Sequence, residues 1–120
     1  MSDHATTIPA DLLGKRLATK PAGWADRVLS FDVFAGDFGD GSERELLNDL
    51  AIAKRGGRCR ECAQPVRKGE ITRRIKMADN EGFYGGRVCE ACCAAMAASD
   101  EDGGEGIEAR FALHLPPVTT

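Results

Sequence analysis

Histidine is nearly absent from this sequence of 120 residues: it has two, His4 and His114, and none in the long stretch between them. Neither is expected to be a ligand, and a histidine general base or a mixed cysteine and histidine metal site in the interior is excluded. No run of 18 apolar residues exists, so a membrane-spanning helix is excluded as well. Met1 to Ala10 lacks the charged start and apolar middle of a signal peptide, and a cytoplasmic location is expected. Aromatic residues are scarce at 6%, with Trp24 the single tryptophan, which is therefore expected in the core. The net charge of -3 and pI near 5.4 argue against a surface that coats nucleic acid all over. There is no phosphate-binding loop and no nucleophile with a base beside it, so the protein is expected not to be an enzyme. The loop Phe34 to Gly41 lacks the spacing and closing Glu of an EF-hand, which argues against calcium.

What the chain does have is glycine, at 14 residues, and five cysteines. A chain of this length forms one domain with a modest core, and its glycine content points to a loop-rich fold that needs a cross-link. Four of the cysteines form two CxxC pairs, Cys59-Arg60-Glu61-Cys62 and Cys89-Glu90-Ala91-Cys92, with 26 residues between them. In a reducing compartment such pairs indicate metal before disulfide, and the odd total agrees. A CxxC on a tight turn brings two sulfurs to one tetrahedral ion, and two pairs complete a closed four-sulfur shell that suits one structural Zn²⁺. Cys93, the fifth, is expected to be a small buried residue.

Charge is unevenly placed. From Lys54 to Ala98 there are ten basic and five acidic residues, a formal +5, while the rest of the chain carries -8. Four thiolates and one zinc ion would bring the central module to about +3.

Residues 1–23 read as a polar segment with a short helix around Asp11 to Leu17. Residues 24–57 read as a strand, an acidic loop and a helix: Leu29, Phe31 and Val33 alternate with polar residues, and Ser42 with Glu45 forms a capping box ahead of Leu46, Leu47 and Leu50. Residues 58–98 hold the cysteines. Between the pairs, Ile71, Arg73, Ile75 and Met77 alternate with Thr72, Arg74 and Lys76, then Asp79 to Gly82 supplies a turn and Phe83-Tyr84 starts the return, which predicts a hairpin. The Ala-rich run after Glu90 predicts a helix opened by the second cysteine pair. Residues 99–106 read as an acidic Gly-rich linker, and residues 107–120 as a strand and tail, since Ile107, Ala109, Phe111, Leu113 and Leu115 alternate with other residues. The expected fold class is α+β, a small zinc-stabilised domain.

A knuckle, a hairpin and a second CxxC at a helix start resemble the treble-clef zinc fingers over about residues 58–98, including the turn Arg67-Lys68-Gly69-Glu70 after the first pair. The resemblance implies that Cys59, Cys62, Cys89 and Cys92 are the ligands, and leaves the role open, because the group is functionally diverse. Its HNH-type nucleases place a catalytic His on the hairpin, which this chain lacks. Its neighbours among zinc-finger regulators of RNA polymerase carry an acidic tip motif with no clear equivalent here. Two functions remain. The basic module could bind DNA or RNA, with Arg67, Lys68, Arg73, Arg74 and Lys76 on phosphates and Phe83 or Tyr84 stacking on bases. Alternatively, the chain is a protein-interaction module, a regulator or inhibitor of bacterial or phage type, that docks on a larger protein through Asp37, Asp40 and Glu43.

Overall fold

The computed structural model describes residues 9–33 and 43–114. Its chain order is α1 (Leu12–Ala18), α2 (Trp24–Ser30), β1 (Arg44–Ile52), β2 (Gly57–Arg58), β3 (Pro65–Val66), β4 (Ile71–Asp79), β5 (Gly82–Val88), α3 (Glu90–Ala97), α4 (Ser99–Asp102) and α5 (Glu105–His114). The fold is α+β. An antiparallel sheet in the order β1-β4-β5 packs against α1 and α2 through β1 and against α3 through β4, and a two-stranded ribbon, β2-β3, holds the first cysteine pair. Helix α3 lies on β4 between α2 and α5.

The hairpin forms as its alternation predicts. Arg73, Ile75 and Met77 turn to the helical face, Arg74 and Lys76 to the other, and Asp79 closes the turn by accepting the amides of Glu81 (2.8 Å) and Gly82 (3.1 Å). Two strands alone are marginal in water. The third is β1, and it corrects the helix expected over residues 42–55. Leu46, Leu47 and Leu50 satisfy helical spacing, but in the register Asn48↔Ile75, Leu50↔Arg73 and Ile52↔Ile71 the same segment supplies the open edge of β4 with a full ladder. Tertiary pairing overrides the local pattern. A bulge between Glu45 and Leu47 takes up the odd residue, Leu46. Ser42, the expected cap, lies outside the described residues.

The expected strand from Leu29 does not form, since Leu29 and Ser30 end α2 and residues 31–33 follow it outside any strand, and the expected strand from Ile107 is helical through His114. In α2, Trp24 and Val28 are one turn apart and both buried, and this i,i+4 pair prevails over the alternation of Leu29, Phe31 and Val33. In α5, buried Ile107 and half-buried Phe111 lie one turn apart and pack on the core, so the run from Ile107 that reads as a strand is a helix with Glu105 and Glu108 in its first turn. The expected linker is ordered too. Helix α4 ends on Gly103 in the left-handed region (φ 69°), and Asp102 accepts the amides of Gly104 (2.9 Å) and Gly106 (3.2 Å) at the entry to α5.

Glycine is required at position 85. It sits opposite Lys76 with φ 137°, and a Cβ there would lie 2.1 Å from the Ile75 carbonyl oxygen. Gly85→Ala should therefore destabilise the domain by about 2–3 kcal/mol through backbone strain and displacement of β4. A urea midpoint equal to that of the native chain would contradict this.

Candidate metal centre

The two cysteine pairs converge from different parts of the fold. Cys59 and Cys62 lie on the turn between β2 and β3, where the Cys59 amide donates to Gln64 O (2.9 Å) and Ala63, at φ 62°, donates to Cys59 O (3.0 Å). Cys89 is the N-cap of α3, and Cys92 lies in its first turn. All four are buried, and their sulfurs lie within 4.8 Å of one another. Cys59 and Cys92 are 3.8 Å apart and Cys62 and Cys89 3.7 Å. Four sulfurs about 2.3 Å from one tetrahedral ion stand about 3.8 Å apart, so the cluster is sized for a metal ion. Four soft thiolates suit zinc.

The chain holds this spacing through two glutamates. Glu70, the last residue of the turn after the first pair, accepts the Glu90 amide at the start of α3 (2.9 Å) and the Arg67 amide (3.1 Å). Glu90 accepts the Ile71 amide (2.8 Å), Arg16 of α1 (2.7 Å) and Lys20 (3.2 Å), while Arg16 also donates to Gly69 O (2.8 Å). Burial alone would raise the Glu90 carboxyl, but the Ile71 amide, Lys20 and Arg16 outweigh it and hold it below the usual carboxylate range. The knuckle exit, the hairpin base, α1 and the start of α3 are thus one hydrogen-bonded unit.

Comparison of the chain with protein-family models, curated proteins and solved structures gives no match. The site is therefore argued from its own geometry.

Sulfur electrostatics point the same way. The S–H groups of Cys89 and then Cys92, with backbone amides, stabilise a thiolate on Cys59 against the effect of burial and hold it far below the ordinary thiol range. With that charge present, Cys89 and Cys92 are both raised, chiefly by Cys59. Four thiolates so close oppose one another's ionisation, and a divalent cation at their centre removes the conflict.

Arg110 is the residue that sequence reasoning missed. From α5 its Nη2 donates to Cys62 Sγ (3.3 Å) and Cys89 Sγ (3.7 Å), and its Nε to Cys92 Sγ (3.5 Å). The fourth sulfur, of Cys59, accepts the amides of Glu61 and Cys89, each at 3.3 Å. Cys93 is fully buried beside the others, pushed up to about 12 by burial, with its sulfur 3.7 Å from Val88 O. It lies outside the four-sulfur cluster, as its reading as a small core residue expects.

The basic residues separate into different environments. Arg67 and Lys68 are exposed on the turn before β4. Arg74 is exposed and forms a bidentate pair with Asp49 of β1 (2.8 and 2.7 Å). Lys76 is exposed with its Nζ 4.9 Å from the ring centre of Phe83, which is itself 70% exposed; Tyr84 is half-buried. Arg73 corrects the set. It is 4% exposed and its guanidinium donates to Asn48 Oδ1 (2.8 Å), Phe31 O (2.9 Å) and Leu29 O (3.1 Å), so it cannot reach a phosphate. Opposite Leu50 and Val88, its side chain has only the inner face to occupy. Of the acidic set, Glu43 is exposed just ahead of β1, and Asp37 and Asp40 lie outside the described residues.

Proposed function

We propose that this chain is a non-catalytic zinc protein of treble-clef type, in which Cys59, Cys62, Cys89 and Cys92 hold one structural Zn²⁺ and the outer face of the hairpin binds single-stranded nucleic acid. The convergence of four buried sulfurs at tetrahedral spacing supports the zinc reading. A complete thiolate shell leaves no position for a substrate, so the metal's work is to hold the knuckle, hairpin and helix together. The chain order of β2-β3, β4-β5 and α3 supports the treble-clef reading.

One observation favours nucleic acid: Lys76 stands over an exposed Phe83 on a strand pair made rigid by β1. An aromatic face beside a cation is the element that stacks a base and meets its phosphate. Arg67 and Lys68 extend the positive surface at the other end of β4 and Arg74 adjoins the pair, whereas Tyr84 stands opposite Met77 on the helical face and is not part of this surface. No helix among the described residues is long and apolar enough to cross a membrane.

The test is binding to single-stranded DNA and RNA across a salt series. The native chain should bind with affinity that falls steeply with salt. Phe83→Ala should cost about 1–3 kcal/mol, and Lys76→Glu should weaken binding and flatten the salt dependence. Lys76 is the better reversal site than Arg74, because a Glu at position 74 would oppose Asp49 across the strands. No binding even at low salt would exclude the nucleic-acid reading and leave the zinc reading intact.

A further inference from the structure

We propose that Arg110 is the outer cover of the metal centre: its guanidinium, delivered by α5, hydrogen-bonds three ligand sulfurs and sets how tightly and for how long zinc is held. The inference rests on the zinc reading above. Zinc with four thiolates carries a formal charge of about -2, and this one sits in a buried cluster. Arg110 reaches Cys62, Cys89 and Cys92 at 3.3, 3.7 and 3.5 Å, and so spans one triangular face of the sulfur tetrahedron. The planar fork of guanidinium suits this role, since its donors diverge to several acceptors at once, whereas an ammonium offers a single point.

Position supports the assignment. Ile107 is buried and Phe111 packs on the core, and these two flank Arg110 on the same face of α5. The helix is therefore fastened on both sides of the arginine. Arg110 and Cys89 also line an open groove of about 360 Å³ together with Gln64, Pro65, Arg67 and Leu113. Of the four ligand cysteines Cys89 lines that groove, and Arg110 stands beside it.

Two consequences follow from charge. Hydrogen bonds from the guanidinium hold three sulfurs in place and offset the negative charge of a four-thiolate shell, so chelators compete less well for the site. Arg110 joins α5 to three of the sulfurs that the metal would draw together. By linkage, zinc binding and the docking of α5 must strengthen each other.

The experiment uses the full zinc-loaded chain, with Arg110→Met and Arg110→Lys. Zinc transfer to a chromogenic chelator should be about 10- to 100-fold faster for the Met variant, with Lys intermediate because it keeps the charge but not the fork. In the cobalt-substituted protein the sulfur-to-metal charge-transfer band should move to longer wavelength in both variants, a shift that mere loss of packing would not produce. Amide exchange in α5 should accelerate on metal removal in the native chain. Should the Met variant fail to fold, the cobalt band of the Lys variant decides. Native zinc content with unchanged transfer rate and unchanged band overturns the assignment of Arg110 alone. A native chain that takes up no metal overturns the zinc reading and this inference together.

Discussion

Stripping the metal from the reduced chain should abolish the ordered state of β4, β5 and α3, with loss of amide protection across all three. Zinc binding to a four-thiolate site contributes about 10–16 kcal/mol, against a total of about 5–15 kcal/mol for a whole domain. The four sulfurs belong to the same continuous core as Trp24, Val28, Ile71, Ile75 and Met96, so disruption of the sulfur cluster would reach the rest of that core. Cys59→Ser and Cys89→Ser should each lose the metal and expose the hairpin to protease, because the chain carries no histidine between residues 5 and 113 to replace a ligand. Cys93→Ala is the control. It should keep a full equivalent of zinc, and its loss there would mean that the second pair is misassigned.

The second large effect is expected at Arg73. Arg73→Met retains most of the buried stem but leaves Phe31 O and Asn48 Oδ1 without the donors they have at 2.9 and 2.8 Å. Leu29 O keeps Asn48 Nδ2 at 3.0 Å. Two half-buried acceptors lose charge-assisted bonds and the end of α2 keeps only the Asn48 bond to the sheet, while removal of a buried cation gives back part of the cost of its desolvation. The first effect should win, for a net loss of about 3–4 kcal/mol. Equilibrium urea unfolding, read by the fluorescence of Trp24 on the same helix, checks this. An unchanged midpoint would show that the guanidinium is dispensable to the fold.

The difference between Arg73 and its neighbours shows what could be read from sequence. The alternation of Ile71, Arg73, Ile75 and Met77 already placed Arg73 on the apolar face, yet its charge grouped it with the surface arginines. In the fold the alternation prevails. The cysteine pairs and the hairpin were legible because their signals are local: ligand spacing, a two-residue period and an Asp-initiated turn. The segments from Leu29, from Ser42 and from Ile107 were not, because short apolar runs fit both periods and the choice is made by distant partners. The β4 edge makes β1 a strand, and α3 offers a surface against which α2 and α5 bury helical pairs. Arg110 was hidden by the same ambiguity. In a strand it alternates to the polar side, whereas at helical spacing Ile107, Arg110 and Phe111 share one face, and that face meets the sulfurs.

X-ray absorption at the zinc edge of the purified, reduced chain tests the central claim most directly. The expected spectrum is a single shell of four sulfurs at about 2.3 Å, with no nitrogen or oxygen neighbour, at one zinc per chain. A shell containing lighter ligands, or a folded chain without zinc, would contradict the account.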